Sequence, residues 1–331
     1  LSLIPITLGS FSSVRTLKDP TPSRRRSSSS SIDDDDDEDL KTQTLNIQDA
    51  FMFPIVGSVC VLFAYIAVKN VGNENVHTLG TLFTTILSTS VFSSTLLSFA
   101  RHSLPSSFFG RHEQIKFTIS KSGHKLFRIT LTVIHMIILA VSLALAITFG
   151  ITKHWAVSNI FAICIAINAI KFVKIDSFKT GFVLLTGMLI YDLVWIFGTD
   201  MMLTISKALN DSPTRIVWPR NVHTYFMDSL LRDHYFTLFG LGDIIIPGIF
   251  VAYCLIHDKQ SAWKDARRND DFATLSYSKP YFYSALFAYA LGAGLSLLCV
   301  HVYRRPQSAL LFISPALILS VITVSFAKGE L

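Results

Sequence analysis

The 331-residue sequence has little charge and little cysteine, and each shortage excludes a class of protein. Only 16% of the residues are charged, against about 25% in typical soluble domains, which excludes a water-soluble enzyme with a charged surface. The four cysteines all lie in apolar runs without zinc-ligand spacing, so neither a disulfide scaffold nor a metal site is predicted. Half of the residues are apolar and 26 are Phe, which excludes a disordered chain and leaves a polytopic membrane protein.

Charge is concentrated in one stretch near the N-terminus. This stretch contains prolines, three consecutive arginines at 24–26, five serines at 27–31 and seven acidic residues at 33–39. Such a composition cannot bury apolar surface, so residues 18–49 are predicted to form a disordered loop that is rich in serine and acidic residues. The residues before it, 1–17, begin with an apolar run and are predicted to be the remnant of a truncated first span.

Eight apolar stretches follow the loop, and each is close to the ~20 residues that cross ~30 Å of hydrocarbon. Their predicted limits are 50–69, 77–100, 129–150, 155–171, 180–205, 235–256, 281–301 and 307–327. All are predicted to be helical, because an open strand in lipid would leave its backbone polar groups unsatisfied. With the remnant they predict an all-α bundle of nine spans, in which spans 2–5 form an N-terminal region, 50–179, and spans 6–9 a second region, 180–331.

The distribution of basic residues predicts the orientation of the bundle. Of the 29 Lys and Arg residues, 21 lie in segments that would share one side with the acidic loop and the C-terminus, and 8 lie in the opposite segments. The positive-inside bias therefore predicts that the loop at 18–49 and the C-terminus are cytosolic and that the loop at 206–234 is lumenal. Membrane orientation also explains the net charge of +6, so nucleic acid is not a predicted partner.

Two carboxylates in the middle of apolar stretches are the candidate functional groups. Asp192 and Asp243 each have several apolar neighbours on both sides. A carboxylate in a bilayer costs at least ~2.5 kcal/mol, so each is a functional candidate. If the two face each other across two helices, they could share one proton and hydrolyse a peptide bond without a metal or a cofactor.

Other interpretations of the two acids stay open on spacing alone. The acids could be structural polar contacts, the relay of a proton- or ion-coupled transporter, or part of a non-catalytic scaffold that binds membrane helices. Gly240 and Gly242 bracket the site at Asp243 and are expected to let backbones approach closely. Pro247 is expected to free the carbonyl of Asp243 and to kink the helix.

The residues next to the two acids are more specific. Tyr191-Asp192 and Gly240-Leu241-Gly242-Asp243 resemble the YD and GxGD signatures of the intramembrane aspartyl proteases, the presenilin and signal peptide peptidase group. The longer strings at 191–199 and 239–250 are similar to the signal peptide peptidase branch of that group. The resemblance implies a presenilin-like fold whose sixth and seventh spans carry the catalytic Asp192 and Asp243, and it makes 180–331 the catalytic region.

A third signature of the group departs here from its usual form. The group carries Gln-Pro-Ala-Leu-Leu near the start of its last span, and the matching residues begin with Gln307, Ser308, Ala309 and Leu310. The resemblance implies that these four residues help to position the substrate. Ser308 stands in the place of proline, restores a backbone donor and is expected to loosen a rigid turn. A second register, in which Pro315 supplies the proline of the signature, stays open.

The resemblance also implies what the protein does. It implies an endopeptidase that hydrolyses peptide bonds within transmembrane segments, with leftover signal peptides and type II or tail-anchored membrane helices as substrates. It places the protein in the endoplasmic-reticulum membrane, with the lipid bilayer, a homo-oligomer or a degradation complex of that membrane as partners. It implies no cofactor and no metal.

Overall fold

The structure is a computed structural model that describes residues 1–15, 43–71, 73–103, 115–121, 124–131, 133–152, 154–199, 201, 215–219, 236–269, 277–303 and 307–329. Within these residues the chain forms nine helices, the number of spans predicted. They are α1 (Leu3–Arg15), α2 (Ile47–Val71), α3 (Asn73–Ser103), α4 (Val133–Thr152), α5 (Trp155–Phe172), α6 (Phe178–Phe197), α7 (Gly242–Asn269), α8 (Pro280–Tyr303) and α9 (Leu310–Lys328).

Seven of these helices, α2 to α6 with α8 and α9, are long and apolar enough to cross a membrane. This confirms the prediction of a polytopic helical membrane protein. The remaining two helices differ from the seven for simple reasons. Helix α1 has only 13 residues, and α7 carries Asp243 in its first turn and a run of charged residues in its last third. Membrane crossing by α1 and α7 therefore stays a prediction.

Three two-stranded sheets lie between the helices in the described part of the chain. Their pairs are β1 (Gln43–Leu45) with β4 (Val173–Ile175) in parallel, β2 (Ile115–Lys121) with β3 (His124–Leu131) antiparallel, and β5 (Arg215–Pro219) with β6 (Phe236–Gly240) antiparallel. Each strand thus finds in its partner the backbone hydrogen bonds that an isolated strand would lack.

These strands correct two predicted limits. The stretch at 235–256 begins as β6 and becomes helical only at Gly242, because its first residues are Phe, Thr and Leu, which suit a strand and which hydropathy cannot distinguish from a helix. The loop predicted at 18–49 ends earlier than expected, since β1 begins at Gln43 and α2 at Ile47. Residues 18–42 of that loop lie outside the described residues.

The first of two compact units contains both candidate aspartates and consists of residues 1–65, 169–204 and 242–331. Its central helix is α7, in which residues 246–256 are buried on every side of the helix. A helix that is buried all round must be enclosed by other elements, and α7 contacts α1, β4, α6, α8 and α9.

The second compact unit consists of residues 66–168 and 205–241 and has its own core. The ring of Phe161 contacts those of Phe92 and Phe149 edge to face, with centroid distances of 5.8 and 5.7 Å. The buried side chain of Asn159 donates to the carbonyl of Val217 at 2.7 Å and accepts from its N–H at 2.8 Å. This paired hydrogen bond fixes β5, and with it β6, to α5.

The first compact unit joins α1 and residues 50–65 and 169–179 to residues 180–204 and 242–331. These parts pack closely on α7, where Gly248 leaves room for Ile170 and Ile6. The division of the chain into regions at residue 180 stays a prediction. A Cβ atom added to Gly248 would lie 2.5 Å from Cδ1 of Ile170 and 3.3 Å from Cγ1 of Ile6.

Candidate active site

Helix α6 places Asp192 in the interior of the first unit. The helix begins after Ser177, whose hydroxyl accepts a hydrogen bond from the N–H of Thr180 at 3.3 Å, and it ends at Gly198. The side chain of Asp192 is only 8% exposed, whereas Val194, two residues further along the same helix, is exposed. The carboxylate therefore points towards neighbouring helices.

Helix α7 places Asp243 next to Asp192. Asp243 lies in the first turn of α7 and is half-buried. The two helices approach closely at Gly181 of α6, where an added Cβ atom would lie 2.6 Å from Cδ2 of Phe250. The carboxyl groups of Asp192 and Asp243 are within range of direct charge interaction. The structure thus brings together the two residues on which the sequence interpretation depends.

The residue in the place of the signature proline contacts Asp192 directly. The hydroxyl of Ser308 donates a hydrogen bond to Oδ2 of Asp192 at 2.8 Å, and Ser308 is 2% exposed. Ala309 follows as the N-cap of α9, and its carbonyl accepts from the backbone N–H groups of the first turn. The hydroxyl of Ser308 is thus buried and bonded, while the expectation that serine loosens the turn stays a prediction.

The other residues of this signature lie around Ser308. Gln307 precedes it and is half-buried, and Leu310 is the first residue of α9 and is buried. Pro315 lies inside α9 and is exposed. In the register that begins at Gln307, the residue in the proline position is therefore Ser308, which contacts Asp192. In the other register that position is the exposed Pro315.

Tyr191 faces away from this cluster. An added Cβ atom on Gly57 of α2 would lie 3.4 Å from Cε2 of the Tyr191 ring. On the same side of α6, Nε1 of Trp195 donates to the hydroxyl of Ser58 at 3.1 Å. Successive helical residues point about 100° apart, so the side chain of Tyr191 packs on α2 while that of Asp192 points inward.

The glycine signature lies at the junction between β6 and α7. Gly240 is the last residue of β6 and pairs with Arg215, Leu241 connects the two elements, and Gly242 is the first residue of α7. Among the described residues, a Cβ atom added to Gly242 would meet nothing within 4 Å. The expected close backbone approach at Gly240 and Gly242 stays a prediction.

Two residues of the site region were missed by the sequence interpretation. Gly181 permits the close packing of α6 on α7, and the buried Tyr289 of α8 lies within charge-interaction range of Asp243. A single glycine or tyrosine in an apolar span does not indicate which helix it faces. No sequence signal could therefore have identified either residue.

The arrangement suits acid–base chemistry. Two carboxyl groups within range of charge interaction repel each other when both are ionised, so such a pair can share a single proton. Such a pair offers a proton acceptor and a proton donor side by side. Among the residues that the structure describes, no group of three or more His, Cys, Asp or Glu side chains forms a possible metal site.

Comparison with known proteins distinguishes among the protease, transporter and scaffold interpretations of the two acids, which their spacing in the sequence left open. The sequence profile of signal peptide peptidase matches residues 37–331. The chain belongs to the signal peptide peptidase family. The signal peptide peptidases of Homo sapiens and Mus musculus are 28% and 29% identical to it, over 100% of this chain and 79% of each relative. A probable intramembrane protease of Schizosaccharomyces pombe is 28% identical over 89% of this chain and 84% of its own length.

Membership of the signal peptide peptidase family establishes the class of activity. The protein is an intramembrane aspartic protease that acts on membrane helices in a lipid bilayer. The comparisons support neither the transporter nor the scaffold interpretation of the two acids. The resemblance of the YD and GxGD strings to this family is confirmed by a match over most of the chain.

Proposed function

We propose that Asp192 and Asp243 are the catalytic pair of this intramembrane protease. One observation carries the proposal: a single compact unit brings the two carboxyl groups, which belong to different helices, within range of direct charge interaction. The burial of Asp192 and the packing of Gly181 against Phe250 support it, because they hold both acids inside the helical bundle rather than at its lipid-facing surface.

The pair hydrolyses a peptide bond in two steps. In the first, the ionised Asp takes a proton from water while the water oxygen bonds to the carbonyl carbon, and the protonated Asp gives its proton to the carbonyl oxygen as the C=O π bond breaks. In the second, the tetrahedral intermediate re-forms its carbonyl, the C–N bond breaks and a proton passes to the leaving nitrogen. The products are one carboxyl group and one amine, and only water is consumed.

The proposed substrates are leftover signal peptides and the membrane helices of type II or tail-anchored proteins. The names of the mammalian relatives support the first of these. A peptide bond within a helix is shielded by the backbone hydrogen bonds of that helix, so the substrate must unwind locally before water can attack. No described residue lies within 4 Å of a Cβ atom added to Gly242, and this space supports an unwound substrate backbone next to Asp243.

The proposed location is the endoplasmic-reticulum membrane. The loop at 18–49 and the C-terminus would be cytosolic and the loop at 206–234 lumenal, and the excess of basic residues on the first side supports this orientation. A homo-oligomer or a degradation complex of that membrane is proposed as a partner from the family resemblance alone.

Isosteric replacement of each acid tests the catalytic pair. The purified full chain is incubated in detergent with a labelled signal peptide, and product is quantified for the unchanged protein, Asp192→Asn and Asp243→Asn. Each variant is expected to lose at least about a hundredfold in rate while still binding the peptide, because the amide can neither accept nor donate the proton.

A third acid serves as the control for this experiment. Asp49 is exposed at the start of α2 and accepts a hydrogen bond from the N–H of Asn46, outside the proposed site. Asp49→Asn is expected to keep the full rate. The catalytic assignment fails if either Asp192→Asn or Asp243→Asn cleaves the peptide as fast as the control.

A further inference from the structure

The two carboxyl groups of the proposed catalytic pair have different surroundings. Oδ2 of Asp192 accepts the hydrogen bond from Ser308, and both residues are buried. Among the described residues, no side chain or backbone group donates a hydrogen bond to the carboxyl group of Asp243. The residue that makes this difference is the one that departs from the family signature, in which proline would offer no hydroxyl group.

We propose that Ser308 is a positioning residue that keeps Asp192 ionised, so that Asp192 is the base that receives the proton of water and Asp243 is the acid. The proposal rests on the catalytic pair proposed above. A hydrogen bond donated to a carboxylate stabilises the ionised form, and the same hydrogen bond is weaker when the carboxyl group is protonated. Since the pair holds one proton, stabilising the charge on one member leaves the proton on the other.

Helix ends do not remove this difference between the two acids. Asp243 lies in the first turn of α7, where the helix dipole favours a negative charge. Asp192 is bonded to the residue just before the N-cap of α9, so the positive end of a helix also faces it. The dipoles act on both acids, and a hydrogen bond to a charged group generally contributes more than a dipole does.

The packing of α8 against α9 holds the hydroxyl of Ser308 in place. Gly292 of α8 lies so close to α9 that an added Cβ atom would be 2.8 Å from the Cα atom of Ile313. Ile313 and Leu317 of α9 are fully buried, and α9 also contacts α6. The start of α9, which follows Ser308, is thus packed against α6, the helix that carries Asp192. A serine on the surface would lack this packing and its hydroxyl could rotate freely.

Besides the two acids themselves, three titratable side chains lie on helices near the pair within the described residues. Tyr191 is next to Asp192 on α6, Asp243 is on α7, Cys60 of α2 interacts with Tyr191, and Tyr289 of α8 interacts with Asp243. A tyrosine side chain does not titrate in the acidic range, so neither Tyr191 nor Tyr289 shapes the acidic limb of the pH profile, and that limb reports on the pair.

Removal of the hydroxyl tests the proposal. Ser308→Ala in the full chain is expected to lower kcat for a labelled signal peptide by about tenfold, with KM unchanged within about twofold. Without the hydrogen bond the base takes up a proton more easily, so activity on the acidic side is lost at a higher pH. The acidic limb of the kcat profile is therefore expected to move up by about one pH unit.

Three further variants separate this role from a structural one. Ser308→Thr keeps the hydroxyl and is expected to restore both the rate and the pH profile. Ser308→Cys has a weaker donor and is expected to move the acidic limb in the same direction by less, which keeps the test available if the alanine variant does not fold. Ser314→Ala is the matched control, because Ser314 is a buried serine of α9, the helix that follows Ser308, and its hydroxyl has no hydrogen-bond partner in the described chain.

The outcomes distinguish the possible failures. The proposal is overturned if Ser308→Ala, or the cysteine variant in its place, keeps the acidic limb of the unchanged protein, even if it loses rate or thermal stability. It is also overturned if Ser314→Ala moves that limb equally. Asp192→Asn and Asp243→Asn are measured in the same assay: if they remain active, the catalytic pair itself is wrong, whereas if they are inactive, only the role of Ser308 is decided.

Discussion

At the scale of single residues, the buried Asp192 and Asp258 of the first unit are each matched by specific donors. Asp192 accepts a hydrogen bond from the hydroxyl of Ser308. Asp258, which is buried at the end of the apolar part of α7, accepts from two backbone N–H groups at the start of α8. Burying a charge without such donors would cost far more than the donors themselves contribute.

Asp258 provides a prediction about stability rather than catalysis. Its oxygens accept from the backbone N–H of Tyr281 at 3.4 Å and of Phe282 at 2.9 Å, in the first turn of α8, where N–H groups lack the carbonyl of a preceding helical turn. Asp258→Ala is expected to lower the free energy of unfolding by about 1–3 kcal/mol, measured by thermal unfolding in detergent. Asp258→Asn keeps an acceptor oxygen and should lose clearly less. Equal losses in the two variants would show that the cap is not what stabilises α8.

At the scale of helices, small residues set the distances on which the site depends. Gly181 lets α6 approach α7 at Phe250, and Gly292 lets α8 approach the backbone of α9 at Ile313. Close helix approach at small residues is the usual way in which membrane helices associate, since lipid supplies no hydrophobic driving force between them. The first contact lies between the two helices that carry the acids, and the second lies near the start of α9, the helix that follows Ser308.

Gly292 and Gly294 form a matched pair on α8. Gly292→Ala would place its Cβ atom 2.8 Å from Cα of Ile313, which is backbone and cannot rotate away, whereas a Cβ atom on Gly294 meets nothing within 4 Å. Gly292→Ala is expected to lower stability by about 1–3 kcal/mol and to reduce the cleavage rate, because α9 is pushed away from α8. Gly294→Ala should change neither. Thermal unfolding measures the loss of stability, and peptide cleavage measures the loss of rate. If Gly292→Ala and Gly294→Ala behave alike in both measurements, the close contact between Gly292 and the backbone of Ile313 is contradicted.

The helices were predictable from the sequence to different degrees. Seven spans follow from length and apolarity, because the membrane imposes both. The strand at 236–240 does not, since a short apolar run suits a strand or a helix equally and its pairing with β5 depends on residues far along the chain.

The site shows the same division between what the sequence determines and what packing determines. Asp192 and Asp243 were identified because a carboxylate in an apolar span is costly wherever it points. The contact between Ser308 and Asp192 was not, because it depends on how α9 is rotated and positioned against α6. The same reason explains why Tyr191, next to Asp192 in the sequence, faces α2 instead.

At the scale of the whole molecule, the unit that carries the acids is assembled from three separate parts of the chain. Helix α1, from the start of the sequence, packs on α7, so the central helix of the site region is enclosed by segments from both ends of the chain. The account as a whole therefore depends on long-range packing that brings α6 and α7 together with Asp192 and Asp243 within range of charge interaction.

Cysteine cross-linking directly measures whether positions 192 and 243 lie close together in the folded protein. In a background in which the natural cysteines are replaced by alanine, Asp192→Cys and Asp243→Cys are introduced together and treated with a short thiol-to-thiol reagent. The replaced cysteines are Cys60, Cys164, Cys254 and Cys299. The control pairs Ile190→Cys with Asp243→Cys, because Ile190 lies on the same helix as Asp192 but is 56% exposed.

We expect mass spectrometry to find an intramolecular link between positions 192 and 243 in the folded protein, and little or none between 190 and 243. A link that forms only from position 190, with none from position 192, would contradict the arrangement on which the proposed catalytic pair depends.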